Sequence, residues 1–434
     1  MKDSIHAMLE PSVPSPHRAM STPSASGAQR AVRRARVQIK KPLEEARVPR
    51  EMVTGPTRPL TCVSFFAGGG GLDLGLEAAG FQTRFANDID PYSCATLQLG
   101  RVAAQKRNLH FFDQAVVLAG DVRNLDGTLV LNSCRLKRGE VALLAGGPPC
   151  QAFSVFGRRR GRGDHRGLLV YEYFRLLSQL EPEAFLFENV FGLLTVEGGE
   201  VFKLACDRLC QPRSGLRYEL SILRVNAANY GVPQFRDRIF IIGSRMGKTV
   251  SKPDELTGRP DGQSGSKKLI YRTVTDALRG LPSPNPTHPA NHTGRHHSDR
   301  IIERYGSMSP GERDHFTRIN KLDLSQPSFT IIVGSDKGGG KGHIHPSESR
   351  EVTPRESARI QTFPDWWEFT GTVRHPIRQI GNAVPPLLAF AIGNELRQSL
   401  FGLPGLSFQQ AVADLSQTHL FPEWFSNQDN RAVQ

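Results

Sequence analysis

Four consecutive glycines, Gly68 to Gly71, stand between an apolar run ending at Phe65-Phe66 and a stretch of helical periodicity beginning at Leu72. A strand that passes into a helix through bare backbone lets a ligand approach the main chain at the strand's carboxyl end. A tight structural turn needs only one or two glycines, so a ligand loop is the more economical reading. The GxGxxG spacing is absent, because Asp73 stands three residues after Gly70, where a pyrophosphate disfavours a carboxylate.

The rest of residues 60–245 alternates short apolar β-rich runs with helical stretches, the pattern of a parallel sheet with crossover helices. Strands are expected over Cys62–Phe66, Arg84–Asn87, Val141–Ala145, Ala184–Phe187, Leu220–Val225 and Ile239–Gly243, and helices over Leu72–Ala79, Gly167–Leu180 and Glu200–Cys210. The fold class is α/β, doubly wound. From Ser251 to His345 the texture changes to Gly, Pro, Ser, His and basic residues, which reads as a smaller, irregular second lobe. Thr353-Pro354-Arg355-Glu356 carries an N-cap, a first-turn proline and a capping-box acid, so a helix restarts there. A last helix is expected over Pro385–Leu396. The division is then a tail at 1–57, a catalytic and cofactor-binding unit at 58–250, a second lobe at 251–352, a hinge and returning helix at 353–400, and an extension at 401–434.

A length of 434 residues suits two folded units, since single cores rarely exceed about 250 to 300 residues. The net charge of +13 suits a polyanionic partner, and nucleic acid is the first candidate. Residues 1–50 hold ten Lys/Arg against four Asp/Glu, so this tail supplies +6 and the remainder +7. The tail reads as a solvated leader or as a loose hold on DNA. The six cysteines include no CxxC pair, which argues against a disulfide framework or a zinc ribbon. His288, His292, His296 and His297 lie among prolines without a cysteine, and no metal is expected. No apolar run approaches the roughly 18 residues of a membrane span, so a cytoplasmic, nucleoid-associated monomer is expected. Lys337-Gly338-Gly339-Gly340-Lys341 lacks Walker spacing and reads as a phosphate-grazing loop.

Further along the chain, candidate chemistry gathers at predicted strand ends. Asp88 and Asp121 each follow a strand, as a ribose or base contact or as a helix cap. Gly147-Pro148-Pro149-Cys150-Gln151 follows another strand, so Cys150 is placed as a nucleophile beside the ligand crevice. Arg158-Arg159-Arg160-Gly161-Arg162 offers a positive field for the thiolate and a clamp for phosphates. Glu188, in Phe187-Glu188-Asn189-Val190, is a proton donor if its pKa is raised by burial, or a helix cap. Gln234, Arg236 and Arg238 alternate onto one face, where two guanidiniums hold a carbonyl or phosphate, or pair with acids such as Asp237. For the glycine loop, S-adenosylmethionine suits better than a dinucleotide, because its ammonium accepts an acid such as Asp73.

In chain order these motifs, together with Arg355-Glu356-x-Ala358-Arg359 and Gln379-x-Gly381-Asn382, closely resemble the DNA cytosine-5 methyltransferase family of the bacterial restriction-modification type. The resemblance covers about residues 60–395. It implies a Rossmann-like S-adenosylmethionine-dependent methyltransferase domain with a smaller target-recognition domain acting on double-stranded DNA, with functional pairing to a restriction endonuclease. Cofactor contacts fall on Phe66, Ala67, Gly68, Gly70, Gly71, Asp73, Asp88, Ile89, Asp121, Val122, Pro149 and Asn382. Phe66 would stack on adenine, Asp88 hold the ribose, Asp121 take the adenine amino group, and Asn382 lie near the methionine end. Many relatives have glutamate then tryptophan where Asp88-Ile89 stands here.

By the same resemblance, Cys150 adds to C6 of an extruded cytosine while Glu188 addresses N3 and Arg238, helped by Arg236, holds O2. Gln151, Ser154, Arg158, Arg159, Arg160 and Arg162 would contact DNA from a mobile catalytic loop. The rivals are an RNA cytosine-5 methyltransferase, a catalytically silent DNA-binding regulator and a Rossmann oxidoreductase. The Cys-Phe-Thr signature of the RNA-modifying relatives is absent, and retention of Cys150, Glu188, Arg236 and Arg238 speaks for catalysis.

Overall fold

A computed structural model describes residues 58–149, 169–259, 268–285, 289–331, 342–372 and 374–425. The basic tail, the 150–168 segment with Cys150, Gln151, Ser154 and the four arginines, His288, and Lys337 to Lys341 lie outside the described residues.

Seven strands form one sheet: β1 (Leu60–Phe65), β2 (Phe81–Asp88), β3 (Val116–Ala119), β4 (Leu143–Gly146), β5 (Ala184–Val190), β6 (Glu219–Asn226) and β7 (Asp237–Ser244). Their spatial order is β3-β2-β1-β4-β5-β7-β6, parallel from β3 to β5, with β7 antiparallel to both its neighbours. The order reverses between β1 and β4, which opens a crevice at their carboxyl ends. Register aligns those ends: Phe65 pairs with both Asn87 and Gly146, and Gly146 pairs with Phe187. The glycine loop, Asp88, Gly147 and Glu188 therefore emerge along one edge.

Five helices accompany the sheet: α1 (Gly71–Ala78), α2 (Pro91–Gln105), α3 (Gly127–Cys134), α4 (Leu169–Leu180) and α5 (Glu200–Cys210). Alternation along β1 sends Leu60 and Cys62 into one core with Leu74 and Leu76, and Val63 and Phe65 into the other with Leu176 and Leu209. The two-residue strands β8 (Thr257–Gly258) and β9 (Leu269–Ile270) and helices α6 (Val274–Leu278) and α7 (Asp299–Ser307) belong to the irregular stretch foreseen after Ser251. A small core of Tyr305, Met308, Ile319 and Ile344 holds part of it together.

The chain then forms α8 (Pro354–Ile360), α9 (Arg374–Asn382), α10 (Pro386–Ser399), α11 (Phe408–Asp414) and α12 (Pro422–Phe425). Thr353 caps α8 with the full capping box to Glu356. Helix α10 returns against α1 in the first core, and the contact closes at Gly75, where a Cβ would lie 2.3 Å from the Pro386 carbonyl. Pro385 caps α10 from outside rather than beginning it. Strands β2 and β4 also differ from expectation, β2 starting earlier at Phe81 and β4 later at Leu143. Helices α2 and α3 were not foreseen, although Asp90 before Pro91 caps α2 by accepting from the Tyr92 N–H. No helix among the described residues is long and apolar enough to cross a membrane.

Candidate active site

The glycine loop is shaped by packing as much as by any ligand. A Cβ on Gly70 would meet Leu97 at 2.4 Å, and one on Gly71 would meet the Val384 carbonyl at 2.3 Å. Gly69 offers its carbonyl to the indole N–H of fully buried Trp367 at 3.0 Å. Phe66 itself takes a left-handed backbone with φ 57°, a strained conformation for phenylalanine at the strand end.

Asp88 ties the neighbouring loops together. Its two carboxylate oxygens accept from the Gly68 N–H at 2.8 Å and the Asp90 N–H at 2.9 Å, and burial raises its pKa against those bonds. Around it, Gly68 and Gly120 have open space where side chains would stand, and Ile89, the next residue in the chain, is 66% exposed. A bare-backbone cradle beside a carboxylate and an exposed apolar platform fits a nucleoside-bearing ligand.

Two expected cofactor residues are placed less directly. Asp121 caps the 3-10 turn Val122–Asn124, and its carboxylate is also taken by the Arg123 guanidinium, which lowers its pKa. Val122 is buried beside it. Asp73 has no exposed surface within α1, and burial pushes its carboxyl up to about 6. It lies below the loop rather than at its surface.

The second half of the site is built where β5 meets β7. Val190 pairs with Arg238, so side-chain alternation puts Glu188 and Arg238 on one face as diagonal neighbours. Arg238 Nε meets Glu188 Oε1 at 2.8 Å, and both side chains are nearly buried. Burial raises the Glu188 pKa, while Arg238 and then Arg236 oppose the rise. A Cβ on Gly147 would strike Glu188 Oε2 at 2.6 Å, so only glycine leaves room for the carboxyl there. Asn189 donates to the Pro148 carbonyl at 3.0 Å and thereby fixes the peptide leading through exposed Pro149 to position 150. This role of Asn189 has no signal in the sequence beyond its place after Glu188.

Arg236 is turned elsewhere. Fully buried, it donates through Nη2 to the carbonyls of Gly381 at 2.7 Å and Ala383 at 2.9 Å, bracketing exposed Asn382. Its Nε and Nη1 have no acceptor among the described residues. The start of β7 and the residue just before it thus carry one arginine to the acid and another to the end of α9, where Asn382 stands. Trp367 had no motif to announce it, and Gln379, quoted only as part of the Gln379-x-Gly381-Asn382 motif, accepts from Thr96 at 2.7 Å and helps hold α9 to α2.

The family model for C-5 cytosine-specific DNA methylase matches residues 60–398, nearly all of the described fold. The chain belongs to that family. It is a DNA cytosine-5 methyltransferase, with relatives named as type II methyltransferases. A Psychrobacter protein, Type II methyltransferase M.PspPI, is 36% identical over 82% of this chain and 83% of its own length. M.XorII of Xanthomonas oryzae is 33% identical over 79% of this chain and 86% of its own. Among solved structures, a prophage-encoded Escherichia coli protein described as a DNA modification methyltransferase superposes with TM-score 0.62 at 28% identity, covering 79% of this chain and 99% of that one. The Schizosaccharomyces pombe Dnmt2 methyltransferase shares the fold, with TM-score 0.53 at 16% identity over 78% of this chain and 98% of that one.

Proposed function

We propose that this methyltransferase acts on a cytosine flipped out of duplex DNA, with Cys150 as nucleophile, Glu188 as proton donor and Arg238 as the oxygen clamp. The observation that carries this reading is the Glu188–Arg238 pair beside Gly147, three residues before Cys150 on a peptide that Asn189 holds. Cytosine C5 is a poor nucleophile until charge enters the ring. The Cys150 thiolate adds to C6, and the displaced electron density moves toward N3, where protonated Glu188 supplies a hydrogen bond or proton. Arg238 stabilises the charge growing on O2, and Arg236 works from behind by holding the end of α9 at Asn382.

The cradle of Phe66, Ala67, Gly68, Gly70, Gly71, Asp88, Ile89, Asp121, Val122, Pro149 and Asn382 would hold S-adenosylmethionine, with Asp73 supporting it from below. When bound, that cofactor supplies the methyl group taken up by C5. Loss of the C5 proton then lets the ring expel Cys150 and restores the free thiolate. Extruding the base costs a few kcal/mol, which Gln151, Ser154, Arg158, Arg159, Arg160 and Arg162 offset through DNA contacts. Residues 251–352 supply target recognition in this reading, and the resemblance to type II enzymes supports a protective role beside a restriction endonuclease.

Bisulfite sequencing of DNA from cells expressing the chain would reveal the methylated word. Duplex carrying 5-fluorocytosine at that word should trap the wild type covalently in the presence of cofactor, and Cys150→Ala should form no adduct. An adduct of undiminished yield with the alanine variant would defeat the assignment.

A further inference from the structure

The family match ends at residue 398, yet the chain continues in ordered structure to Phe425. This extension does not merely cover α10. Phe408 packs edge-on against Phe390 of α10, with ring centres 5.4 Å apart, and against Phe421 at 6.2 Å. Phe421, wholly buried, then reaches Gly231, where a Cβ would stand 2.6 Å from its ring and where φ is +77°. Gly231 lies three residues before Gln234, at the turn that opens the Gln234-x-Arg236-x-Arg238 segment leading into β7. Nothing larger than glycine fits between the extension and that turn.

A second line of contact runs to the same segment. The Arg272 guanidinium lies 4.3 Å over the Phe421 ring and pairs with Glu423, while Phe421 stacks on Trp424 at 4.3 Å and 10°. Beside Arg272, the Tyr271 ring meets Phe235 edge-on at 5.6 Å, and its hydroxyl bonds Asn229 at 3.0 Å. Phe235 sits between Gln234 and Arg236. The extension therefore braces the segment leading into β7 at two points, directly at Gly231 and through Arg272-Tyr271 at Phe235.

We infer that residues 401–425 act as a strut that sets the arginine-bearing segment at the start of β7 against Glu188, with Phe421 as its positioning residue. This rests on the reading of Arg238 and Glu188 as the groups that address the cytosine ring. Phe421 touches no reacting atom; it acts by confining the turn from which Arg236 and Arg238 extend. Small misalignments of such groups are expensive in rate, because the stabilising hydrogen bonds must meet charge where it develops.

The test uses the full chain, saturating duplex with 5-fluorocytosine at the methylated word, and the final adduct yield as a count of active sites. Phe421→Ala should lower the rate of adduct formation per active site on the order of 10-fold, with the KM for S-adenosylmethionine unchanged. Phe421→Leu should restore most of the rate. A purely stabilising role predicts a lower melting temperature and fewer active sites but an unaltered rate per site, and that result overturns the inference. Should Phe421→Ala fail to fold, Arg272→Met, which keeps the stem and removes the charge, should still slow adduct formation per site; an unchanged rate there overturns it equally. A wild type that forms no adduct would instead refute the catalytic assignment itself.

Discussion

Glu188 is the residue on which sequence and structure bear most closely. That burial could raise the pKa of a carboxyl at this strand end was legible in the sequence, but the arrangement that buries it against Gly147 and beside Arg238 was not, because it is set by residues distant along the chain. Burial raises its pKa and the two arginines moderate the rise. The sign follows: a raised pKa keeps the acid protonated to higher pH, so its contribution is full at low pH and fades as pH climbs through that value. Cys150 works in the opposite sense, gaining thiolate as pH rises. The rate of adduct formation should therefore rise and then fall with pH. Glu188→Gln should lose roughly 10²-fold in rate, in keeping with the removal of a general acid. Its pH profile should rise to a plateau without the alkaline decline. Stopped-time trapping across pH 5 to 10 reads both features, and an alkaline decline that survives in the glutamine variant would exclude Glu188 as its source. Arg236 teaches the complementary lesson. Alternation placed it on the face of Arg238, but its bonds to Gly381 and Ala383 span about a third of the chain and have no local signature.

At the scale of elements, what could be read was what local chemistry determines. The apolar runs of β1, β5, β6 and β7 and the Thr353–Glu356 capping box announce themselves because strand periodicity and capping act over a few residues. Helix α2 was overlooked despite Asp90-Pro91, since its exposed Leu99 and Val102 blur the apolar stripe. Helices α11 and α12 were illegible because their aromatic residues are ordered by partners on α10 and at Gly231, not by one another alone. The returning helix was foreseen, but the closeness of its contact with α1 was not. That contact makes a specific prediction. A methyl group at Gly75 would lie 2.3 Å from the Pro386 carbonyl and 2.4 Å from the Ala389 Cβ. Gly75→Ala removes a flexible residue from a helix interior, which in isolation favours stability by roughly 0.5 to 1 kcal/mol. Overpacking of two helix backbones costs about 1 to 3 kcal/mol and should win. Thermal unfolding should show a lower melting temperature for Gly75→Ala; an increase would mean that α1 and α10 separate freely.

On the scale of the whole molecule, the two ends of the family match are drawn to one edge of the sheet. Trp367 donates to the glycine loop and Val384 packs against it, while Arg236 holds the end of α9 at Gly381. Segments so distant in sequence bring Glu188 and the glycine loop to one edge of the same sheet, and the positive charge of the chain suits a polyanionic partner. The net charge is +13, of which the first fifty residues carry +6. Phosphate neutralisation makes log K fall with log salt at about 0.9 per contact. Replacing Arg158, Arg159, Arg160 and Arg162 together by Gln should therefore flatten the slope by about 3 to 4 if all four meet phosphates. The loss should be nearly the same for cognate and unrelated duplex, because phosphate contacts position the protein without reading sequence. Fluorescence anisotropy from 50 to 300 mM salt on both duplexes gives the two slopes. A quadruple variant that keeps the wild-type slope would remove this segment from the phosphate contacts, and a loss confined to the cognate duplex would turn it into a reader of bases.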